Sequence, residues 1–209
     1  MKNRVCNLNI FGTGRIAIIG LSVAASALLA VGCGSSNDTR TTIAINKDGS
    51  VQSTIYESFD KDYYDISELS DMASDEISYY NSEYISPKIT LEEPELINDG
   101  KMAKLVMNYD SADDYSHFNQ VSLFFGTVQE AIDKGYSVTD NLVDPDGNKA
   151  EAFDLEEELS HHIIITDEKV YIIAPYKISY STLGVTITDK KEADLSNATK
   201  DSIQLLLSK

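Results

Sequence analysis

From Thr41 onward, apolar residues fall at alternate positions and the runs are cut by turns built on Asp-Gly. This alternation constrains the fold most, because a period of two puts every second side chain on one face of a strand. Ile43 and Ile45 alternate with polar residues, Lys47-Asp48-Gly49 follows, and Val51, Ile55 and Phe59 then share a face. An Asp-Gly pair between two such runs specifies a hairpin, since glycine accepts the positive φ the turn needs. Asn98-Asp99-Gly100 repeats the signal, joining a run with Ile89 and Leu91 to one with Ala103, Leu105, Met107 and Tyr109. Pro145-Asp146-Gly147-Asn148 is a third turn. Asp167-Glu168 predicts a fourth hairpin, between Ile163–Ile165 and Val170–Ala174; both runs are apolar on both faces, which places the pair centrally in a sheet. Leu183, Val185 and Ile187 alternate as a further strand; the run Ile203 to Leu207 reads as strand or helix, with strand favoured because Ile203, Leu205 and Leu207 share a face and the run is short.

Three segments change to helical spacing. Ile66, Leu69, Met72, Ala73, Ile77, Tyr80 and Tyr84 recur at steps of three and four, one stripe of a long helix, with Asp65 and Glu68 as its capping box. Ser111 with Asp114 starts a short helix running to about Asn119. Thr127 with Glu130 starts another, carrying Val128, Ala131 and Ile132 and stopped by Gly135. The expected fold class is α+β: a largely antiparallel β-sheet with one long and two short helices packed on it.

The N-terminus belongs to a different physical regime. Lys2, Arg4 and Arg15 precede an apolar segment from Ile16 to Val31, and Leu28-Leu29-Ala30-Val31-Gly32-Cys33 closes it. A basic region, a short apolar region and small residues at a cleavage site read as a secretory signal. The pattern looks like a bacterial lipoprotein signal, in which the chain is cut before the cysteine and its sulfur carries a diacylglyceryl group. An uncleaved anchor and an ordinary signal cut at Gly32 are the alternatives. The expected division is residues 1–32 as signal peptide, 33–40 as lipidated cysteine and tether, and 41–209 as a single α+β domain. Cys6 leaves with the leader, so the mature chain has no disulfide and no second thiol. It carries 14 Lys and Arg against 34 Asp and Glu, a net charge of −20. That balance excludes nucleic acid as a partner and keeps the domain off anionic lipid, since both need cationic surface.

The chain contains no HExxH, GxSxG or glycine-rich phosphate loop after the leader. His161 and His162 are adjacent, and on a strand they point to opposite faces. Asp144, Asp146 and Asn148, followed by Glu151 and Asp154, offer hard oxygen ligands of the kind calcium takes. Against the EF-hand loop they fail at Lys149, where glycine is required, and at Leu155, where glutamate closes the site. A type I turn explains them better, so calcium at Asp144, Asp146, Asn148 and Glu151 is the weaker reading. Asp60, Asp62 and Asp65 form a second loose cluster. Twelve tyrosines and no tryptophan make Tyr63-Tyr64, Tyr79-Tyr80, Tyr176 and Tyr180 candidates for a binding surface.

The lipidation signal, the start TTIAINKDGSVQSTIYESF, the helix DISELSDMASDEISYYN and the stretch MNYDSADDYSHFNQVSLFFGTVQEAIDKGY together resemble uncharacterised lipoproteins of anaerobic Gram-positive bacteria. In layout alone the chain is also similar to the LppM lipoprotein domain, where a hairpin, a helix and further strands follow the lipidated cysteine. The resemblance implies lipid anchoring through Cys33 on the outer face of the cytoplasmic membrane and a non-enzymatic role. It supplies no catalytic residues and no cofactor beyond the lipid. The expected function is therefore a cell-surface lipoprotein that binds an envelope protein, a glycan or a small ligand, through its sheet face or the loops around Asp144–Glu158. The alternative is a carboxylate-based hydrolase acting on cell-wall or extracellular polymer.

Overall fold

The structure, a computed structural model, describes residues 39–138, 141–149 and 158–208, together with the backbone of 11–12 and 15–16. Cys33, Glu151 and Asp154 lie outside the described residues. β1 (Phe11–Gly12) and β2 (Arg15–Ile16) pair as a two-residue ladder. Among the described residues no helix is long and apolar enough to cross a membrane.

The first hairpin forms as its turn residues dictate. β3 (Thr42–Ile45) and β4 (Val51–Ser58) pair antiparallel with Ile45 opposite Val51. Gly49 takes a φ of +89°, and the Asp48 carboxylate accepts the Ser50 N–H at 3.1 Å. α1 (Ile66–Asn81) follows, capped by Asp65, whose carboxylate accepts the Ser67 N–H at 2.7 Å rather than pairing reciprocally with Glu68. The run around Ile89 splits into β5 (Ile89–Leu91) and β6 (Glu95–Ile97). Pro94, which has no N–H to give a ladder, lies in the break between them. Both strands pair with β7 (Met102–Tyr109), and the Asn98-Asp99-Gly100 turn therefore joins β6, not β5, to β7.

The two short helices have the boundaries their caps specify. α2 (Ala112–Asn119) begins at Ser111, whose hydroxyl accepts the Asp114 N–H. After β8 (Leu123–Thr127), α3 (Val128–Asp133) opens on a complete capping box between Thr127 and Glu130. Gly135, just beyond it, takes a φ of +86°.

The C-terminal third departs from the expected hairpin order. β9 (His162–Thr166) and β10 (Tyr171–Ile173) flank Asp167-Glu168 but do not pair with each other. β9 lies between β8 and β14 (Ile203–Leu207) in a four-stranded sheet. β10 crosses to a second, eight-stranded sheet and runs parallel to β3. Both runs are central strands, as their two apolar faces require, but each is central to a different sheet. The predicted strand at Leu183–Ile187 is also replaced. The chain pairs as β11 (Ile178–Ser181), turns at Gly184, and resumes as β12 (Thr186–Asp189) against β13 (Glu192–Asp194). Gly184 has a φ of +93°, and a Cβ there would meet the Asn197 carbonyl oxygen at 2.2 Å. Extended pairing cannot run through it, and Leu183 is left 58% exposed.

The eight-stranded sheet has the order β12-β13-β10-β3-β4-β7-β5 with β6 also on β7, and the four-stranded sheet the order β11-β14-β9-β8. Among the described residues every pairing is antiparallel except β3 with β10. Ile43, Val51, Met107 and Ile172 of the larger sheet share one core with Leu123, Ile164, Leu205 and Leu207 of the smaller. The far face of the smaller sheet, with Phe124, Ile163, Ile165 and Leu206, is covered by Val128 and Ala131 of α3 and by Leu142. α1 lays Leu69 on Ala103 and Leu105 of β7 and sends Ile77 into the shared core. The architecture is α+β with mostly antiparallel sheets, as expected, but with two sheets packed on each other instead of one.

Candidate functional site

A small surface recess opens where the chain leaves β4 and enters α1. Phe59 follows the last residue of β4, its N–H donating to the Lys101 carbonyl at 2.7 Å, and the Tyr64 N–H donates back to the Lys61 carbonyl at 3.0 Å. This turn gathers three rings. Tyr64 lies 5.1 Å from Phe59 and 5.0 Å from Tyr63, the latter pair edge to face. Asp65, Glu68, Leu69 and Met72 from the start of α1 complete the lining. Tyr63 stays 61% exposed, so its ring is offered to solvent rather than spent on the core.

The charge around the recess is negative. Between Asp60 and Glu68 the one basic residue is Lys61, held to Asp60 at 3.2 Å. The loose cluster of Asp60, Asp62 and Asp65 is thus divided: Asp60 pairs with Lys61, and Asp65 caps α1. Among the described residues no three metal-ligating side chains converge.

The Asp144 loop is closed by its own bonds. The Asp144 carboxylate accepts the N–H groups of Asp146 and Asn148, each at 2.9 Å, and the Asn148 amide at 3.2 Å. These bonds, led by those from Asn148, hold the Asp144 carboxyl below the usual carboxylate range. Gly147 supplies a φ of +83°. Asp144, Asp146 and Asn148 are thus engaged as a turn, with Asp144 as its acceptor.

The histidines go to separate partners. His161 contacts Glu158, while His162 stacks with Phe125 at 5.4 Å and with Tyr176 at 4.8 Å between centroids. The six candidate tyrosines do not share one surface. Tyr63 and Tyr64 stand at the start of α1, and Tyr79 is exposed near its end. Tyr80 donates to Asp114 at 3.1 Å, Tyr176 is in the His162 stack, and Tyr180 packs on the second core.

One pair of chemically unusual residues was not legible in the chain. Glu168, at the crossover between the sheets, is 9% exposed and accepts a hydrogen bond from the Tyr115 hydroxyl at 2.8 Å. Burial pushes its carboxyl up to about 7; the Tyr115 bond works against that shift and the neighbouring Asp167 charge adds to it. Burial also raises the Tyr115 phenol, with Glu168 adding to it. Asp167 itself accepts the Ser122 N–H at 2.9 Å. As one of 34 acids, Glu168 has no local signal that marks it for burial.

No family model, no curated protein and no solved structure matches this chain.

Proposed function

We propose that the chain is a lipid-anchored binding protein on the outer face of the cytoplasmic membrane. The basic start, the apolar segment and the run Leu28–Cys33 support the location. Cleavage before Cys33 would free its α-amino group and leave its sulfur to carry a diacylglyceryl group, whose two acyl chains anchor stably where one binds only marginally. The role best supported is non-covalent binding of an envelope component, and the observation that carries it is the open aromatic recess of Phe59, Tyr63 and Tyr64. Tyrosine presents an apolar ring and a polar tip, the combination that serves binding surfaces. A hydrolase of the carboxylate type needs two acids facing each other across a cleft. Glu168, the carboxyl pushed furthest up among the described residues, is packed against Tyr115 in the core instead.

The test of the anchor is metabolic labelling with palmitate and fractionation of wild type and Cys33→Ala. Wild type is expected to take up label and sediment with membranes, and the variant to do neither. A variant that still partitions with the membrane overturns the lipid anchor.

A further inference from the structure

We propose that the recess at the start of α1 binds a quaternary ammonium group. The inference rests on the binding role above and names the chemistry of the ligand. Phe59, Tyr63 and Tyr64 all line the recess, with Tyr64 in ring contact with Phe59 at 5.1 Å and with Tyr63 at 5.0 Å. Aromatic faces attract cations, and rings grouped in this way are the usual means of holding methylated ammonium. Leu69 and Met72 supply apolar contact for methyl groups, while Asp65 and Glu68 supply charge at the rim.

The competing chemistries fit less well. An anion would gain from the N-terminus of α1, but Asp65 already accepts the Ser67 N–H there and Glu68 adds a second negative charge in the first turn. A neutral apolar group would leave that charge uncompensated. A primary ammonium is a compact, strongly hydrated charge, so it would rather keep its water than enter a surface of rings and aliphatic carbons. A quaternary ammonium has no N–H to satisfy and spreads its charge over methyl groups. Lys61, the cation closest in sequence, does not line the recess and is held by Asp60.

Met72 gives a direct reporter. The chain has four methionines, and Met72 alone lines the recess; Met107 is in the shared core. The full chain, labelled with 13C at the methionine methyls and held in a maltoside detergent, is titrated with choline chloride. Parallel titrations use 3,3-dimethylbutan-1-ol, the neutral isostere of choline, as well as ethylammonium chloride and sodium chloride at equal ionic strength. The expected result is a saturable shift of the Met72 signal with choline alone, with Met107 unmoved. Tyr63→Leu removes an exposed ring and should weaken binding about two- to fivefold. Glu68→Gln should weaken it by a similar factor, with the loss shrinking as salt screens the charge. An equal response to the neutral isostere overturns the proposal in favour of a merely apolar site. An equal response to ethylammonium overturns it in favour of general acidic attraction. No saturable shift with choline removes the ammonium ligand outright. The lipid anchor stands or falls separately, on the palmitate label of Cys33.

Discussion

Glu168 shows how much one residue's environment changes its chemistry. Its carboxyl is held up near 7 from an ordinary 4.5, chiefly by burial. The sign of the effect on stability follows from the order in which the two states lose the proton. Below about pH 4.5 the folded and unfolded chains both carry it and there is no penalty. As pH rises from there to about 7, the unfolded chain releases its proton first, so this group's contribution to stability falls, and it levels off above the folded value. The loss has an upper bound of about 3 kcal/mol. Glu168→Gln keeps an acceptor for the Tyr115 hydroxyl and removes the titration. Thermal denaturation between about pH 4 and pH 8 should show the variant gaining on wild type as pH rises, with the difference flat above the folded value. A constant difference across that range would mean that Glu168 is not protonated in the fold. Nothing in the sequence singles this residue out. Asp144, by contrast, was readable as a turn residue because its partners lie two and four positions along the chain.

At the scale of elements, most of what the chain declares locally is what forms. The caps at Ser111 and Thr127 and the turn at Asp48-Gly49 act over three or four residues and appear where the sequence puts them. Two departures are local: Asp65 caps α1 without Glu68, and Pro94 splits the run before β7 into β5 and β6; the other two involve partners far along the chain. β9 and β10 are adjacent in sequence and equally apolar, yet β10 is held parallel to β3 and β9 lies between β8 and β14. Period and turn residues describe a strand's faces but not its neighbour. Gly184 is the second case, because only the folded chain brings the Asn197 carbonyl against it. Gly184 and Gly147 have φ values of +93° and +83°, but a Cβ at Gly147 would meet nothing within 4 Å. Gly147→Ala should therefore cost about 1–2 kcal/mol, the strain of a left-handed residue. Gly184→Ala should cost clearly more, because backbone must also move. Urea denaturation of both variants tests the ranking, and equal losses would contradict the close approach at Asn197.

The whole molecule is dominated by its charge and by where that charge is held. The full chain carries a formal net charge of −17 and repels itself, so moderate sodium chloride should raise the midpoint of thermal unfolding. Calcium chloride at matched ionic strength should do no more than sodium chloride, because the Asp144 carboxylate is engaged by its own loop and Asp60 by Lys61. A further rise at millimolar calcium would reveal a bound ion, since a ligand of the folded state stabilises it by mass action. The same charge should hold the domain off an anionic membrane while the proposed lipid on Cys33 keeps it near. At the recess by α1 the same negative charge stands beside an exposed tyrosine ring.

The sequence by itself determined the α+β class, the starts of the three helices and the Asp48-Gly49 hairpin, because capping, period and turn chemistry act within a few residues; the expected stripe ran on to Tyr84, but α1 ends at Asn81. It listed Tyr63-Tyr64 among six candidate tyrosines but could not separate them from the other four. Only the tertiary structure decided that the strands form two packed sheets, that Glu168 lies under Tyr115, and that Phe59 joins the two tyrosines beside Met72. Each of those depends on side chains brought together from different elements, and their burial and spacing are set by packing rather than by local residue preferences.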